Sequence, residues 1–297
     1  MNAEPTVVLD GFTFLECPRW HDGRIWVADF YTHRVVSADA DGSDVRVEAE
    51  VPNQPSGLGW LADGRLLVVS MRDRQLLVRE ADGQLTSHAD LAPFVSGHPN
   101  DMVVDSTGRA YVGNFGFDLM AGADVCTATL VRVDPDGRAS VAADGMLFPN
   151  GSVITPQGEL IVAETFGGRL TAFDIGTDGS LSNRRTWAEL GPAATATELG
   201  EALGQVVVAP DGICLDAEGA IWVADALGGR AVRVREGGEI VDEVRADGGV
   251  YACMLGGAQG TTLFLCNAPD FHEAARSAAR EGRLLAVEVD VPHAGMP

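Results

Sequence analysis

Short apolar runs, rich in β-branched residues, recur along this chain, and each follows a turn glycine. In four places that glycine stands nine residues after a proline, in segments 55–64, 99–108, 149–158 and 210–219. The apolar runs that follow occupy residues 65–69, 109–112, 159–162 and 220–223. This layout predicts two antiparallel strands joined by a tight glycine turn in each copy.

A third predicted strand completes each of these copies, at residues 75–79, 129–133, 168–173 and 230–234. A first copy with a shorter turn covers 16–29 and 34–39, and a degenerate sixth covers 250–255, 260–266 and 282–289. Six copies of roughly 50 residues, with three or four short strands each, are typical of an all-β, six-bladed β-propeller. The alternative, an open β-solenoid, has shorter repeats.

The two ends of the chain are expected to meet in the last blade, because an unpaired edge strand is an aggregation hazard. The apolar segment Thr6-Val-Val-Leu9 precedes the first copy and predicts an outer strand beside residues 284–289. With this closure, residues 1–297 form one domain, which is common for a β-rich chain of this length.

Three insertions interrupt the repeat, at residues 115–127, 186–204 and 269–280. The second contains the helix-capable stretch 193–199, and the third is Ala-rich with Pro-Asp at its start, which favours a short helix. Loops of this kind either surround one mouth of the propeller axis or are simply tolerated on its surface.

Oxygen donors stand at the start of the predicted first strand in four copies: Glu16, Asn100, Asn150 and Asp211. Copies two and six carry Ser56 and Tyr251 near that place. First strands line the axis of a propeller, so these side chains are expected to converge on one point. Such an all-oxygen site favours Ca²⁺, with Mg²⁺ or Mn²⁺ next and Zn²⁺ or Fe²⁺ also open. The alternative is that Pro-Asn-Gly and Pro-Asp-Gly only form turns.

Composition and charge limit the kinds of partner and the compartment that this chain is expected to have. The chain is 46% hydrophobic with 36 glycines and 14 prolines, which suits a globular protein with many turns, and no apolar run approaches a membrane span. Its net charge of -22 argues against nucleic acid and membrane surfaces as partners. The start Met1-Asn-Ala-Glu-Pro resembles no secretory signal, and Cys214, Cys253 and Cys266 lie in apolar runs, so we expect reduced thiols in the cytoplasm.

Several motifs together resemble the regucalcin/gluconolactonase family, also called the luciferin-regenerating-enzyme family, over essentially the whole chain. They are Glu16-Cys-Pro-Arg-Trp20, Ile25-Trp-Val-Ala-Asp29, Asn100-Asp101, Phe148-Pro-Asn150-Gly151, Pro210-Asp211-Gly212 and Ile221-Trp-Val-Ala-Asp225. The resemblance implies that Glu16, Asn150 and Asp211 bind one divalent cation directly, while Asn100 completes the site through water or substrate. The implied reaction is lactone hydrolysis.

Within that reaction, Asp211 is the favoured catalytic residue, as general base or as nucleophile, and attack by a metal-activated water is the alternative to attack by Asp211 itself. The sequence departs from the sugar-lactonase pattern, which has an arginine two residues before the asparagine, because this chain has His98 in His98-Pro-Asn100. His98, Asn100 and Phe115, with Phe117 nearby, therefore predict a substrate pocket for a less polar lactone. Two rival hypotheses are a phosphotriester or fluorophosphate hydrolase and a non-catalytic propeller that binds calcium.

Overall fold

The computed structural model describes residues 4–295; the first three residues of the Met1-Asn-Ala-Glu-Pro start and the last two of the chain lie outside them. These residues form six four-stranded antiparallel sheets and two short helices. The sheets are the blades of a six-bladed β-propeller, which confirms the predicted fold class. A single domain over 1–297 stays a prediction.

The first three blades are built from consecutive strands after one strand that belongs to the last blade. That strand is β1 (Thr6–Phe12). Blade 1 comprises β2 (Leu15–His21), β3 (Arg24–Asp29), β4 (Arg34–Ala38) and β5 (Arg46–Glu50). Blade 2 comprises β6 (Pro55–Trp60), β7 (Leu66–Ser70), β8 (Gln75–Arg79) and β9 (Leu85–Asp90). Blade 3 comprises β10 (Pro99–Val104), β11 (Ala110–Asn114), β12 (Ala128–Val133) and β13 (Ala139–Met146).

The last three blades repeat this arrangement and enclose both helices. Blade 4 comprises β14 (Pro149–Ile154), β15 (Glu159–Glu164), β16 (Arg169–Ile175) and β17 (Leu181–Glu189). Helix α1 (Leu199–Gln205) precedes blade 5, which comprises β18 (Pro210–Leu215), β19 (Ile221–Asp225), β20 (Arg230–Val234) and β21 (Ile240–Arg245). Blade 6 comprises β22 (Gly249–Gly256), β23 (Thr262–Ala268), β24 (Gly282–Glu288) and β1, with α2 (Glu273–Ala279) before β24.

The six inner strands, β2, β6, β10, β14, β18 and β22, contact one another in turn and form a closed ring around the axis. Their side chains and those of the second strands are almost all buried, whereas the outer strands β5, β9, β13, β17 and β21 are mostly exposed or half-buried, with one or two buried residues each. The core therefore consists of apolar layers between adjacent blades, and the polar outer edges face solvent.

Ring closure occurs where the sequence predicts it. β1 pairs antiparallel with β24, with Thr6 opposite Ala286 and Leu9 opposite Leu284. Leu9 is 5% exposed and packs in the core between blades, whereas Val7 is 49% exposed on the same strand. The N-terminal strand thus completes the last blade by backbone pairing with β24 and by burial of Leu9.

We expect Leu9→Ala to lower the free energy of unfolding by about 2–5 kcal/mol, because it removes a buried leucine from the closing strand. Val7→Ala on the exposed face is the matched control and should cost roughly 0.5 kcal/mol or less. Chemical denaturation of both variants measures the difference. Equal effects of the two variants would show that β1 does not anchor the ring.

The insertions differ from the expectation in their bounds. Residues 186–189, placed in the second insertion, continue strand β17, because their backbone pairs with β16. Of the helix-capable stretch 193–199 only Leu199 is helical, because α1 begins there and the Glu198 carboxylate caps it by accepting the Gly200 and Glu201 amides. The short helix expected within 269–280 is confirmed as α2.

The two helices have seven residues each, and within residues 4–295 no helix combines the length and the apolar character needed to span a bilayer. All five cysteines lie in the described part of the chain and are free, and Cys214, Cys253 and Cys266 are buried as expected.

Candidate functional site

The pairing register is interrupted near the start of every inner strand. The shifts fall between Glu16 and Arg19, Pro55 and Leu58, Pro99 and Met102, Pro149 and Ser152, Pro210 and Ile213, and Val250 and Ala252. Irregularities of this kind bend a strand and re-aim its side chains. The residues that sequence analysis placed on the axis lie in or beside these six irregularities.

Glycines beside the axial residues allow the inner strands to approach closely. A Cβ atom added to Gly57 would lie 2.7 Å from the Asn100 carbonyl oxygen, and one added to Gly151 would lie 2.6 Å from the Asp211 carbonyl oxygen. Only glycine fits these positions without moving the neighbouring strand. The close approach brings the axial side chains of successive blades into contact.

A chain of hydrogen bonds links the axial side chains of blades 2, 3 and 4 and ends at a backbone carbonyl of blade 5. The Ser56 hydroxyl donates to Asn100 Oδ1 at 2.8 Å, and Asn100 Nδ2 donates to Asn150 Oδ1 at 3.0 Å. Asn150 Nδ2 donates to the Thr165 hydroxyl at 3.2 Å, which donates to the Pro210 carbonyl at 2.7 Å. These bonds fix the orientation of both amides at the axis.

Glu16 and Asp211 line the same pocket as these two amides, so the structure brings together all four residues predicted from the sequence. Both carboxyl groups are buried, at 6% and 7% exposure. Glu16 Oε2 accepts the Cys17 amide at 3.1 Å, whereas Asp211 Oδ1 accepts no hydrogen bond from the described residues. A buried carboxylate oxygen without a partner is costly unless a proton or a cation reaches it.

Burial dominates the acid strength of both carboxyl groups. It raises the pKa of Glu16 to about 8; the Asp101 carboxylate acts in the same direction, while the Cys17 amide and the Arg19 guanidinium oppose it. Burial, followed by the charges of Glu16 and Asp101, raises the pKa of Asp211 well above its usual value. The Asn150 side chain and the Gly212 amide offset part of that rise. The two carboxyl groups therefore share one low-dielectric site, which a bound cation would neutralise.

The donor set fits a hard divalent cation. Two carboxylates and two amides supply only oxygen ligands, which suit Ca²⁺ better than the nitrogen and sulfur sites preferred by Zn²⁺. No group of three or more His, Cys, Asp or Glu side chains that could hold a metal occurs in residues 4–295. The axial site differs from such clusters because half of its donors are asparagines.

An apolar pocket of about 700 Å³, its open mouth included, lies over the four donors. All three insertions contribute to its wall, through Phe115, Leu119 and Met120, through Leu203, and through Phe271, and Val206 lies just after the second of them. The remaining apolar and aromatic lining residues are Phe14, Phe30, Tyr31, Phe148, Phe166, Ala209, Ala226, Leu227 and Tyr251. The insertions therefore surround one mouth of the axis, which decides between the two roles left open by the sequence.

The residues proposed to bind substrate occupy different places. Asn100 and Phe115 line the pocket, and the Phe115 ring packs against Phe148 with centroids 4.7 Å apart. His98 lies behind Phe115, with ring centroids 6.1 Å apart, and is not among the residues that form the wall. Burial lowers the pKa of His98. Direct contact between His98 and substrate stays a prediction, whereas Phe117 packs in the core beside Phe166.

Most of the aromatic wall was not found from the sequence. Phe14, Phe30 and Tyr31 flank blade 1 strands, and Thr165 and Phe166 lie in the turn after β15, where periodicity carries no functional signal. The backbone of the structure marks one of these wall residues: Phe148 has φ 58°, a left-handed conformation that is rare for a bulky residue. Such strained residues cluster at functional sites.

Curated proteins of related sequence include two lactonases. The 6-deoxy-6-sulfogluconolactonase of Pseudomonas putida is 26% identical over 289 residues, covering 95% of this chain and 93% of that protein. Pentonolactonase XacC of Haloferax volcanii is 27% identical over 221 residues, covering 73% and 68%.

Solved structures share the fold. A luciferin-regenerating enzyme superposes with a TM-score of 0.78 at 18% identity, covering 97% of each chain. A calcium-binding protein named regucalcin, from Agrobacterium tumefaciens, superposes with a TM-score of 0.78 at 19% identity, covering 100% of this chain and 97% of that one. The model of the SMP-30/Gluconolactonase/LRE-like region matches residues 14–268. The chain therefore belongs to the SMP-30/gluconolactonase/LRE-like family.

Proposed function

We propose that this protein is a divalent-metal-dependent hydrolase that opens a lactone carrying an apolar substituent. One observation carries the proposal: two buried carboxylates and two amides converge at the bottom of a pocket whose wall is almost entirely apolar. The relatives named 6-deoxy-6-sulfogluconolactonase and pentonolactonase support lactone hydrolysis as the reaction class.

The cation would be held by Glu16, Asn150 and Asp211, with Asn100 as the fourth donor. Ca²⁺ is the first choice because all donors are oxygens, and a structural relative described as a calcium-binding protein supports it. When bound, the cation supplies Lewis-acid chemistry, which polarises the lactone carbonyl and stabilises the oxyanion.

The protein's own side chains provide positioning and proton transfer. Asn100, whose amide is fixed by Ser56 and Asn150, orients the carbonyl end of the substrate. The aromatic wall excludes bulk water from the site. Asp211 Oδ1, which has no hydrogen-bond partner in the described residues, takes the proton of the attacking water. The water oxygen bonds to the carbonyl carbon, the ring C–O bond breaks, and the leaving alkoxide recovers the proton from Asp211.

Direct attack by Asp211 is the alternative route to the same products. In that route an Asp211 oxygen bonds to the carbonyl carbon and the ring C–O bond breaks, which gives a mixed anhydride; water then attacks the Asp211 carboxyl carbon, releases the product carboxylate and gives a proton to the leaving alkoxide. A single turnover in oxygen-18 water distinguishes the two, because only direct attack places the label in the Asp211 side chain.

The wall favours an apolar substituent over a polyhydroxylated ring. No arginine or other cationic side chain stands among the residues that line the pocket, and the polar groups lie together at its bottom. A sugar lactone would bury several hydroxyl groups against phenylalanine rings without hydrogen bonds, which is unfavourable. This preference separates the proposal from the relatives that are named for sugar lactones.

We expect kcat/KM to rise with the length of an alkyl substituent on a γ- or δ-lactone, by about fourfold per methylene, because each buried CH₂ contributes about 0.8 kcal/mol. Four added methylenes should give roughly a 200-fold increase, and gluconolactone should be a poor substrate. Initial rates across such a series measure the trend.

Phe115→Ala should flatten this dependence while leaving the rate with an unsubstituted lactone nearly unchanged, because Phe115 belongs to the apolar wall. Val141→Ala, at an exposed site on β13, is the matched control. Faster turnover of gluconolactone than of alkyl lactones would contradict the substrate class. Preference for phosphotriesters would support the rival hydrolase, and no turnover of any ester would support a binding protein.

The partner in this proposal is the small-molecule substrate alone, without nucleic acid or a membrane surface. The net charge of -22 supports that choice. A cytoplasmic location remains part of the proposal, and the five free cysteines support it because thiols stay reduced in that compartment.

A further inference from the structure

A buried ion pair joins two blades that are not neighbours in the ring, close to the four oxygen donors. Arg19 of β2 places Nη2 2.6 Å from Asp101 Oδ1 on β10, and the same nitrogen donates to the Met102 carbonyl at 2.6 Å. Arg19 Nη1 donates to the Pro18 carbonyl at 2.8 Å. Each charged side chain is 4% exposed. Strand β6 stands between β2 and β10 in the ring, so the guanidinium links blade 1 to blade 3 past blade 2.

Both members of the pair depart from the repeat. Asp101 follows axial Asn100, and the residue in that place is a glycine in blades 2, 4 and 5, namely Gly57, Gly151 and Gly212. Arg19 stands three residues after axial Glu16, and the corresponding residues of blades 2 to 5 are uncharged: Gly59, Val103, Val153 and Cys214. Two exceptions to the repeat therefore meet each other.

Stability does not explain this pair. A buried ion pair pays a large desolvation cost, and well-packed apolar residues of similar size commonly stabilise a fold as well or better. Blades 2, 4 and 5 show that this propeller packs with glycine and an uncharged residue at the same two positions. The charged pair in blades 1 and 3 is thus expected to have another role.

The contacts of Asp101 indicate that role. Its Oδ1 also accepts the Met102 amide at 2.8 Å, so the ion pair fixes the irregular segment of β10 that carries Asn100. Asn100 in turn accepts the Ser56 hydroxyl and donates to Asn150. By fixing this segment of β10, Arg19 therefore also restricts Asn100 and, through its hydrogen bond, Asn150.

We propose that Arg19 and Asp101 are positioning residues that fix Asn100 and thereby keep the four oxygen donors arranged for a divalent cation. This inference rests on the proposed function, which requires that cation. Loss of a group that orients a metal ligand typically weakens metal binding about 10- to 100-fold.

The test compares the single variant Arg19→Met with the double variant Arg19→Val/Asp101→Gly, which restores the residues found in blade 4. The single variant should melt at lower temperature, because it leaves a buried aspartate unpaired. The double variant should recover most of the melting temperature and still bind Ca²⁺ about 10- to 100-fold more weakly in calorimetry. In the metal-free state, amide hydrogen exchange across β10 should be faster in the double variant than in the wild type.

Arg233→Met is the matched control, because Arg233 forms a comparable buried pair with Asp216, at 2.6 Å, elsewhere in blade 5. This control should lose melting temperature and keep wild-type Ca²⁺ affinity. Equal loss of affinity in the control would mean general loosening and would overturn the proposal. Wild-type affinity together with unchanged β10 exchange in the double variant would overturn it as well.

The metal requirement and the positioning role of Arg19 and Asp101 can be disproved separately. A wild-type protein that binds no Ca²⁺ and turns over lactones equally well with chelator removes the metal from the proposed function. The positioning of Asn100 is then decided by hydrogen exchange alone: faster exchange across β10 in the metal-free double variant supports it, and unchanged exchange overturns it.

Discussion

Asp211→Asn should lower kcat for the best lactone by about 10³-fold, while the protein stays folded. The substitution keeps the size of the side chain but removes the group proposed to accept the proton, and general base catalysis is typically worth 10²- to 10⁴-fold. It also removes one of two buried carboxylates whose charges oppose each other, and Asp211 Oδ1 has no partner to lose among the described residues. Thermal unfolding in chelator should therefore occur at the same or a higher temperature than in the wild type.

Asp216→Asn is the matched control, at the residue directly after β18, the strand that carries Asp211. Its effects on stability and on kcat should be the reverse of those of Asp211→Asn. Asp216 is 1% exposed and pairs with Arg233, but it lies outside the pocket. This variant should melt at lower temperature and retain wild-type kcat. A catalytically competent Asp211→Asn enzyme would remove Asp211 from the reaction, whichever route is followed.

The blades could be predicted from the sequence because each is a local unit. The proline, the turn glycine nine residues later and the apolar run mark the inner hairpin of four blades, and the strands β8 and β20 begin and end at the predicted residues. The axial donors followed from the same repeat, since equivalent positions in a radial array meet at its centre. Local spacing thus fixed both the architecture and the four side chains at the axis.

The pocket wall could not be predicted in this way, because it depends on contacts between distant segments. The Val125 amide of the first insertion donates to the carbonyl of Thr197, which precedes helix α1 in the second insertion, and neither insertion carries a periodic pattern. Tyr31 donates to the Phe271 carbonyl at 2.7 Å across 240 residues of sequence. The Arg19–Asp101 pair likewise joins residues that are 82 positions apart in the sequence. Each becomes visible only once the ring has closed.

Removal of the divalent cation is expected to have the other large effect. Treatment with a calcium chelator should lower the lactonase rate by about 10³-fold, because Lewis-acid stabilisation of the developing charge is worth several kcal/mol. Chelation should also lower the melting temperature, since Ca²⁺ at a hundred times its Kd stabilises the folded state by about 2.7 kcal/mol, or roughly 5 °C for a chain of this size. Added Ca²⁺ should restore both quantities.

The size of this thermal shift should depend on pH in a defined direction. Burial raises the pKa of Glu16 to about 8 in the metal-free folded protein, above its ordinary value of 4.5. The folded protein then holds a proton that the unfolded chain has released, so the metal-free protein loses stability as the pH rises from 4.5 towards 8. Ca²⁺ bound as proposed would replace that proton, and the calcium-dependent shift should therefore be larger at pH 8 than at pH 5. Asp211→Asn should show little shift at either pH, and a chelated wild-type enzyme with full activity would refute the metal requirement.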